Sequence, residues 1–238
     1  MNYPALKAAA MYLIDNGVEI PSDLLSQFAS LGIKSQEYYQ AQLTRLVKSF
    51  YKGNMDILEF ATIFGDLITG QLTKAWNEGM EVNGVPPEDI TDEWKSMLDD
   101  IIATEKDSIM GFADEIAAAS GLTDQPIDPY LSRVDIWANR YPDVVNQAIL
   151  ATAEEKTKLE WVYSPEKEHC TICSALNGIV AYAREWDELG VRPQNPPNPA
   201  LSKDNGGCGG WRCGCELIPT TRRRSPDAFT TIMNIVAI

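Results

Sequence analysis

A chain of 238 residues with 45% hydrophobic content is long enough to bury a core of its own, as one large domain or two modest ones. Its 34 acidic against 20 basic side chains leave a net charge of −14, which opposes general adhesion to nucleic acid or anionic membrane and confines any DNA contact to a local patch. No apolar run approaches the roughly 20 residues needed to cross a bilayer. Met1 to Ile14 carries no basic n-region or cleavage site, so the expectation is no membrane association and synthesis in the cytoplasm.

The charge is unevenly spread. Trp76 to Asp128 holds 14 acidic residues against only Lys95 and Lys106, a net of −12. Such a run reads as a solvated helical face, or as a surface that meets a basic partner.

In chain order, the first half reads as helices separated by turn signals. Short helices are expected at Ala5 to Asp15 and at Ser22 to Ser30, the second with Ser22 as N-cap after Pro21. Ser35 to Lys52 places Tyr39, Leu43, Leu46, Val47 and Phe50 on one side and stops at Gly53-Asn54. Met55 to about Val82 repeats the pattern with Leu58, Ala61, Phe64, Ile68, Leu72, Ala75 and Trp76. Gly65 and Gly70 weaken that helix by about 1 kcal/mol each relative to Ala, which suggests close packing against a neighbour.

The clearest stripe is Trp94, Met97, Leu98, Ile101, Ile102, Ile109, Phe112 and Ile116, opened by Thr91-Asp92-Glu93 and stopped at Gly121. Asp128-Pro129 begins another helix, with Tyr130, Val134, Trp137 and Tyr141 on its buried face. Pro142 kinks or interrupts it before the pattern resumes at Val144, Val145, Ala148, Ile149 and Thr152. From Leu159 the grammar changes to short strand-like runs, Leu159 to Tyr163 and Gly178 to Tyr182. The loop from Arg192 to Gly210 is rich in Pro and Gly, and so long a loop in a compact domain is functional or tied down. The fold class expected is therefore α+β: a mainly helical N-terminal region and a small cysteine-rich, zinc-binding C-terminal β-domain.

All five cysteines fall between Cys170 and Cys215. In a reducing compartment an odd, clustered set argues for a metal site over a disulfide framework. Cys170-Thr171-Ile172-Cys173 is a C-x2-C knuckle, whose spacing lets two thiolates reach one tetrahedral ion from a single turn. Cys208, Cys213 and Cys215 supply the rest, and zinc suits sulfur ligands without redox chemistry. If Cys213-Gly214-Cys215 is extended, both side chains point to the same face. Four ligands close a structural site, so one of the five is surplus. The set favoured is Cys170, Cys173, Cys208 and Cys213, with the choice between Cys208 and Cys215 open. The competing reading is reduced core cysteines, or a disulfide formed after lysis. A thioredoxin-like role would need a βαβ unit around the C-x2-C, and none is expected.

Catalysis is not expected. His169 is the only histidine, which removes schemes built on a His base, and no G-x-S-x-G, P-loop, H-E-x-x-H or G-x-G-x-x-G is present. Adjacent carboxylates such as Asp99-Asp100 diverge by about a hundred degrees on a helix and cannot share a substrate.

The order of Trp161, Cys170, Cys173, Gly178, the prolines from Pro193 to Pro199, Cys213, Cys215 and Pro219 resembles the Mu-F-like minor head, or head morphogenesis, proteins of tailed phages. The resemblance covers roughly Leu159 to Pro219. That family commonly has a His shortly before its C-x-C and an Arg between the two cysteines. Here Gly214 stands between them, Arg212 lies just before, and Cys208 is the residue available in the histidine's place.

The resemblance implies a non-enzymatic structural protein acting in head (procapsid) assembly, inside the capsid near the portal. The change of pattern near Leu159 divides the chain into an acidic helical region at 1–157, a cysteine domain at 158–221, and a basic then apolar tail at 222–238; binding of portal or head proteins by the first is carried over from the resemblance by position alone. Arg222-Arg223-Arg224 is the only basic run, a candidate local contact with DNA phosphate, although such runs are more often solvated. Ile232, Met233, Ile235, Val236 and Ile238 would be an aggregation hazard if free, so the tail is expected to pack on this chain or another subunit. The alternative is a zinc-stapled, protein-binding adaptor with no phage role.

Overall fold

The structure is a computed structural model that describes residues 12, 35–120, 125–163, 170–194 and 213–236. The helices expected at Ala5 to Asp15 and Ser22 to Ser30 lie outside the described residues, Tyr12 excepted, which is helical. Among the described residues from 35 onward, five longer helices come first: α1 (Ser35–Tyr51), α2 (Ile57–Val82), α3 (Asp92–Lys106), α4 (Ile109–Ala119) and α5 (Asp128–Thr152). The remainder is β1 (Lys158–Val162), α6 (Thr171–Leu176), β2 (Val180–Tyr182), α7 (Ala183–Glu188), β3 (Glu216–Pro219) and α8 (Ala228–Val236). The class is α+β, as expected.

The chain divides into two compact units. The first takes in 1–72 and 97–138, and the second 73–96 and 139–238. The boundary read from the sequence at 157/158 does not coincide with this division. The second unit recruits the later turns of α2 and α5, because three short strands cannot bury enough apolar surface alone.

In the first unit an aromatic cluster forms the core. Phe50 stacks on Phe60 at 4.4 Å, and Phe64 and Phe112 each lie 4.9 Å from Trp137. The long stripe opened by Thr91 is split at Asp107-Ser108 into two helices. The break changes the face presented: Ile109, Phe112 and Ile116 are buried, whereas of the α3 residues only Leu98 is. Leu58, expected in the core, is 68% exposed at the first turn of α2.

Pro142 sits inside α5 without ending it. A proline lacks the N–H that would bond the carbonyl four residues back, so a carbonyl on the preceding turn needs another donor. That carbonyl belongs to Ala138, and the buried Gln71 amide reaches it at 3.5 Å while donating more closely to the neighbouring Trp137 carbonyl at 2.7 Å.

In the second unit the sheet order is β2-β1-β3, both pairings antiparallel. Leu159 and Trp161 of β1 and Leu217 of β3 alternate onto one buried face, where Trp161 pairs with Leu217 and lies 5.7 Å from Trp186. The tail docks on its own chain. Helix α8 packs on α6 and β2 and buries Ala228, Ile232 and Val236 in the core shared with Trp161, Trp186 and the cysteines.

Gly65 and Gly70 have ordinary room around them. The close approach is at Gly79, where a Cβ would stand 2.4 Å from the Val145 carbonyl oxygen and 2.6 Å from the Ala148 Cβ. Gly79→Ala is expected to cost about 2 kcal/mol or more by forcing backbone apart. Gly111→Ala, with nothing within 4 Å of the new Cβ, is expected to gain about 0.5–1 kcal/mol. Denaturant unfolding of the two variants checks the contrast.

Candidate metal centre

The C-x2-C follows β1 and leads into α6. Cys170 is the N-cap residue, extended at φ −71 and ψ 162, and its sulfur accepts a hydrogen bond from the Cys173 N–H at 3.3 Å. This is a helix start after a strand, but β1 and β2 are antiparallel, so the βαβ unit of a thioredoxin-like motif is absent here. One turn into the helix, Cys173 points into the core.

Cys213, Cys215 and Leu217 occupy alternate positions leading into β3, and all three are buried. The period of two puts them on one face. Because β3 pairs with β1 beside α6, that face meets Cys173.

The sulfurs of Cys173, Cys213 and Cys215 all lie within 4.8 Å of one another. Cys173 Sγ and Cys213 Sγ are 3.9 Å apart, and neither is in a disulfide. A disulfide would require about 2.05 Å. Two sulfurs at about 2.3 Å from a tetrahedral ion stand about 3.8 Å apart, so the spacing suits thiolates sharing a metal. The cluster could hold a metal ion.

Among the five cysteines the sequence singled out, the structure therefore gathers Cys173, Cys213 and Cys215. Cys170 is partly exposed beside them and is not one of the three. Cys208 and His169 lie outside the described residues. Of the pair left open, Cys208 or Cys215, it is Cys215 that is seen in the cluster.

Two residues that sequence reasoning passed over support the cluster from behind. Asn146 on α5, 1% exposed, accepts the Leu217 N–H at 2.8 Å and donates to Gln194 Oε1 at 2.8 Å. Gln194 Nε2 in turn donates to the carbonyls of Cys213 at 3.0 Å and Cys215 at 2.9 Å. The available signal was the interruption of the apolar face of α5 by Asp143 and Asn146. Both lie at buried helical positions, and a buried polar side chain calls for a partner. Asp143 finds its own in Arg192 at 3.0 Å and in Arg140.

The basic run is largely committed within the domain. Arg222 pairs with Glu160, and Arg224 makes a two-pronged contact with Glu185, one arm at 2.8 Å. Arg223 is exposed. With Lys156, Lys158 and Arg224 it lines an open cleft of 660 Å³ beside Tyr182. Among the described residues, no helix is long and apolar enough to cross a membrane.

Comparison with protein-family models, with curated proteins and with solved structures finds no match for this chain.

The Arg224 guanidinium, hydrogen-bonded to Glu185, holds that carboxyl below its ordinary value of 4.5 against the opposing effect of burial. A carboxylate whose pKa is depressed by folding stabilises the native state above the unfolded pKa and ceases to do so as pH falls through the folded one. Glu185→Gln is therefore expected to lose on the order of 2 kcal/mol at pH 7. It should also lose less stability than the parent on acidification from about pH 5 to pH 3. Urea unfolding at several pH values tests both; parallel curves for the two proteins would contradict the assignment.

Proposed function

We propose that this chain is a non-catalytic assembly protein of a tailed-phage head, acting on the capsid interior near the portal. In this reading its C-terminal unit is stapled by one structural zinc. Cys173, Cys213 and Cys215 would supply three ligands, and Cys170 or Cys208 the fourth. Bound there, zinc would cross-link the fold and offer no open position for chemistry.

One observation carries the reading. The C-x2-C and the C-x-C, with Cys173 and Cys213 40 residues apart, meet in a single buried core beside the Trp161 strand. That convergence supports the motif order on which the resemblance to Mu-F-like head proteins rests. An all-thiolate set favours zinc among the common divalent ions, and four cysteine ligands are a closed arrangement rather than a catalytic one.

Portal and capsid proteins are the partners this reading names. A local contact with DNA phosphates would run through Arg223 with Lys156 and Lys158, since carboxylates occupy Arg222 and Arg224.

Elemental mass spectrometry of the full chain, purified without chelators, tests the zinc. One ion per chain is expected in the wild type and none in Cys173→Ser, Cys213→Ser or Cys215→Ser. Whichever of Cys170→Ser and Cys208→Ser also loses the ion identifies the fourth ligand. A metal-free wild type overturns the zinc reading.

Whether portal and capsid genes flank its own, and co-expression with the proteins they encode, test the assembly role. The chain should sediment with procapsids. A chain left behind while procapsids form would favour the protein-binding adaptor instead.

A further inference from the structure

The thiols of Cys213 and Cys215 face Cys173 only if the backbone between them stays extended, and a stretch containing Gly214 has no reason of its own to do so. The restraint comes from one side chain. Gln194 Nε2 donates to the carbonyl of Cys213 and to that of Cys215. A single amide nitrogen bridges carbonyls two residues apart only where the chain carries both to the same side, and that also sets the two Cβ atoms on one face.

The bridge is itself held at each end. Gln194 sits at φ +67, a left-handed conformation uncommon for a residue other than glycine. Two residues earlier, Arg192 is anchored to the buried Asp143 at 3.0 Å. The Gln194 oxygen accepts from Asn146 Nδ2, which also donates to the Pro142 carbonyl at 2.8 Å, while Asn146 Oδ1 takes the Leu217 N–H. Every donor of both amides is used, and the partners fix which way each amide points.

We propose that Asn146 and Gln194 are positioning residues for the metal centre. They form an amide relay from α5 that holds the C-x-C in register with Cys173 and so sets the affinity of the site. This rests on the metal reading above and deepens it. Removing a partner that orients ligands in this way typically weakens metal binding by roughly 10- to 100-fold.

The test uses full-length wild type, Gln194→Met, which keeps the length and removes the amide, and Asn146→Asp, which keeps the acceptor for Leu217 and loses both donors. Asn83→Ala is the control. It deletes two hydrogen bonds to the same α5 helix, at 2.8 Å to the Ile149 carbonyl and 2.9 Å to Thr152 Oγ1, without touching the cysteine segment. Zn(II) affinity is read by competition with a chromophoric chelator, and ligand geometry from the thiolate-to-metal absorption of the Co(II) form.

Gln194→Met and Asn146→Asp are expected to bind Zn(II) roughly 10- to 100-fold more weakly, with altered Co(II) spectra. Asn83→Ala should bind like the wild type even where it is less stable to heat. Wild-type affinity in the Gln194 and Asn146 variants, or an equal loss in Asn83→Ala, overturns the relay alone. A wild type that binds no metal overturns the centre and the relay together.

Discussion

Strands of five, three and four residues do not make a self-sufficient sheet, and that shortage governs the second unit. With β1 in the centre, the strands bring Leu159, Trp161, Ala181 and Leu217 to this core, with Val180 buried as well. The missing apolar area is drawn from elsewhere: Ile149 on α5, Ile172 and Leu176 on α6, Trp186 on α7 and Ile232 on α8. The cysteines belong to the same cluster. Their thiols fill core volume as small apolar groups and at the same time stand close enough to share an ion, so packing and ligation reinforce one another.

The polar residues of α5 answer a second constraint. A helix that carries Pro142 and presents one face to a core must satisfy a disrupted run of carbonyls without water. Gln71 reaches the Ala138 carbonyl that the proline leaves without its N–H partner, at 3.5 Å. Asn146, buried one turn past the proline, donates to the Pro142 carbonyl and to Gln194, and its oxygen accepts the Leu217 N–H. Asp143, one residue past the proline, holds Arg192.

Much of this was legible in the residues. Periodicity located α1 and α2 to within about two residues, and the start of α5, whose passage through Pro142 it left open; alternation located β1 and β2. Spacing marked all five cysteines and favoured Cys170, Cys173, Cys208 and Cys213, of which Cys173 and Cys213 stand in the cluster with Cys215, and the apolar tail was expected to dock on this chain or another. Other features depend on how elements meet. The stripe from Trp94 to Ile116 keeps helical spacing through the break at Ser108, so nothing in its pattern announced two helices or the exposure of Met97. The carboxylates that occupy Arg222 and Arg224 come from β1 and α7, far away in the chain. Gln194 lies among prolines in a stretch that reads as irregular, and its left-handed backbone left no trace in composition.

Gly79 bears on more than local fit. The missing side chain lets α2 lie directly against the Val145 carbonyl and the Ala148 methyl, in a gap too narrow even for a methyl group. Sliding one helix along the other would bring the same-face neighbours Ala75, Trp76 or Asn83, all larger, toward that gap, so the crossing acts as a detent with one permitted setting. Since α5 also carries Asn146, that setting fixes how far along its axis the amide stands, and through it the height at which the cysteine segment is held.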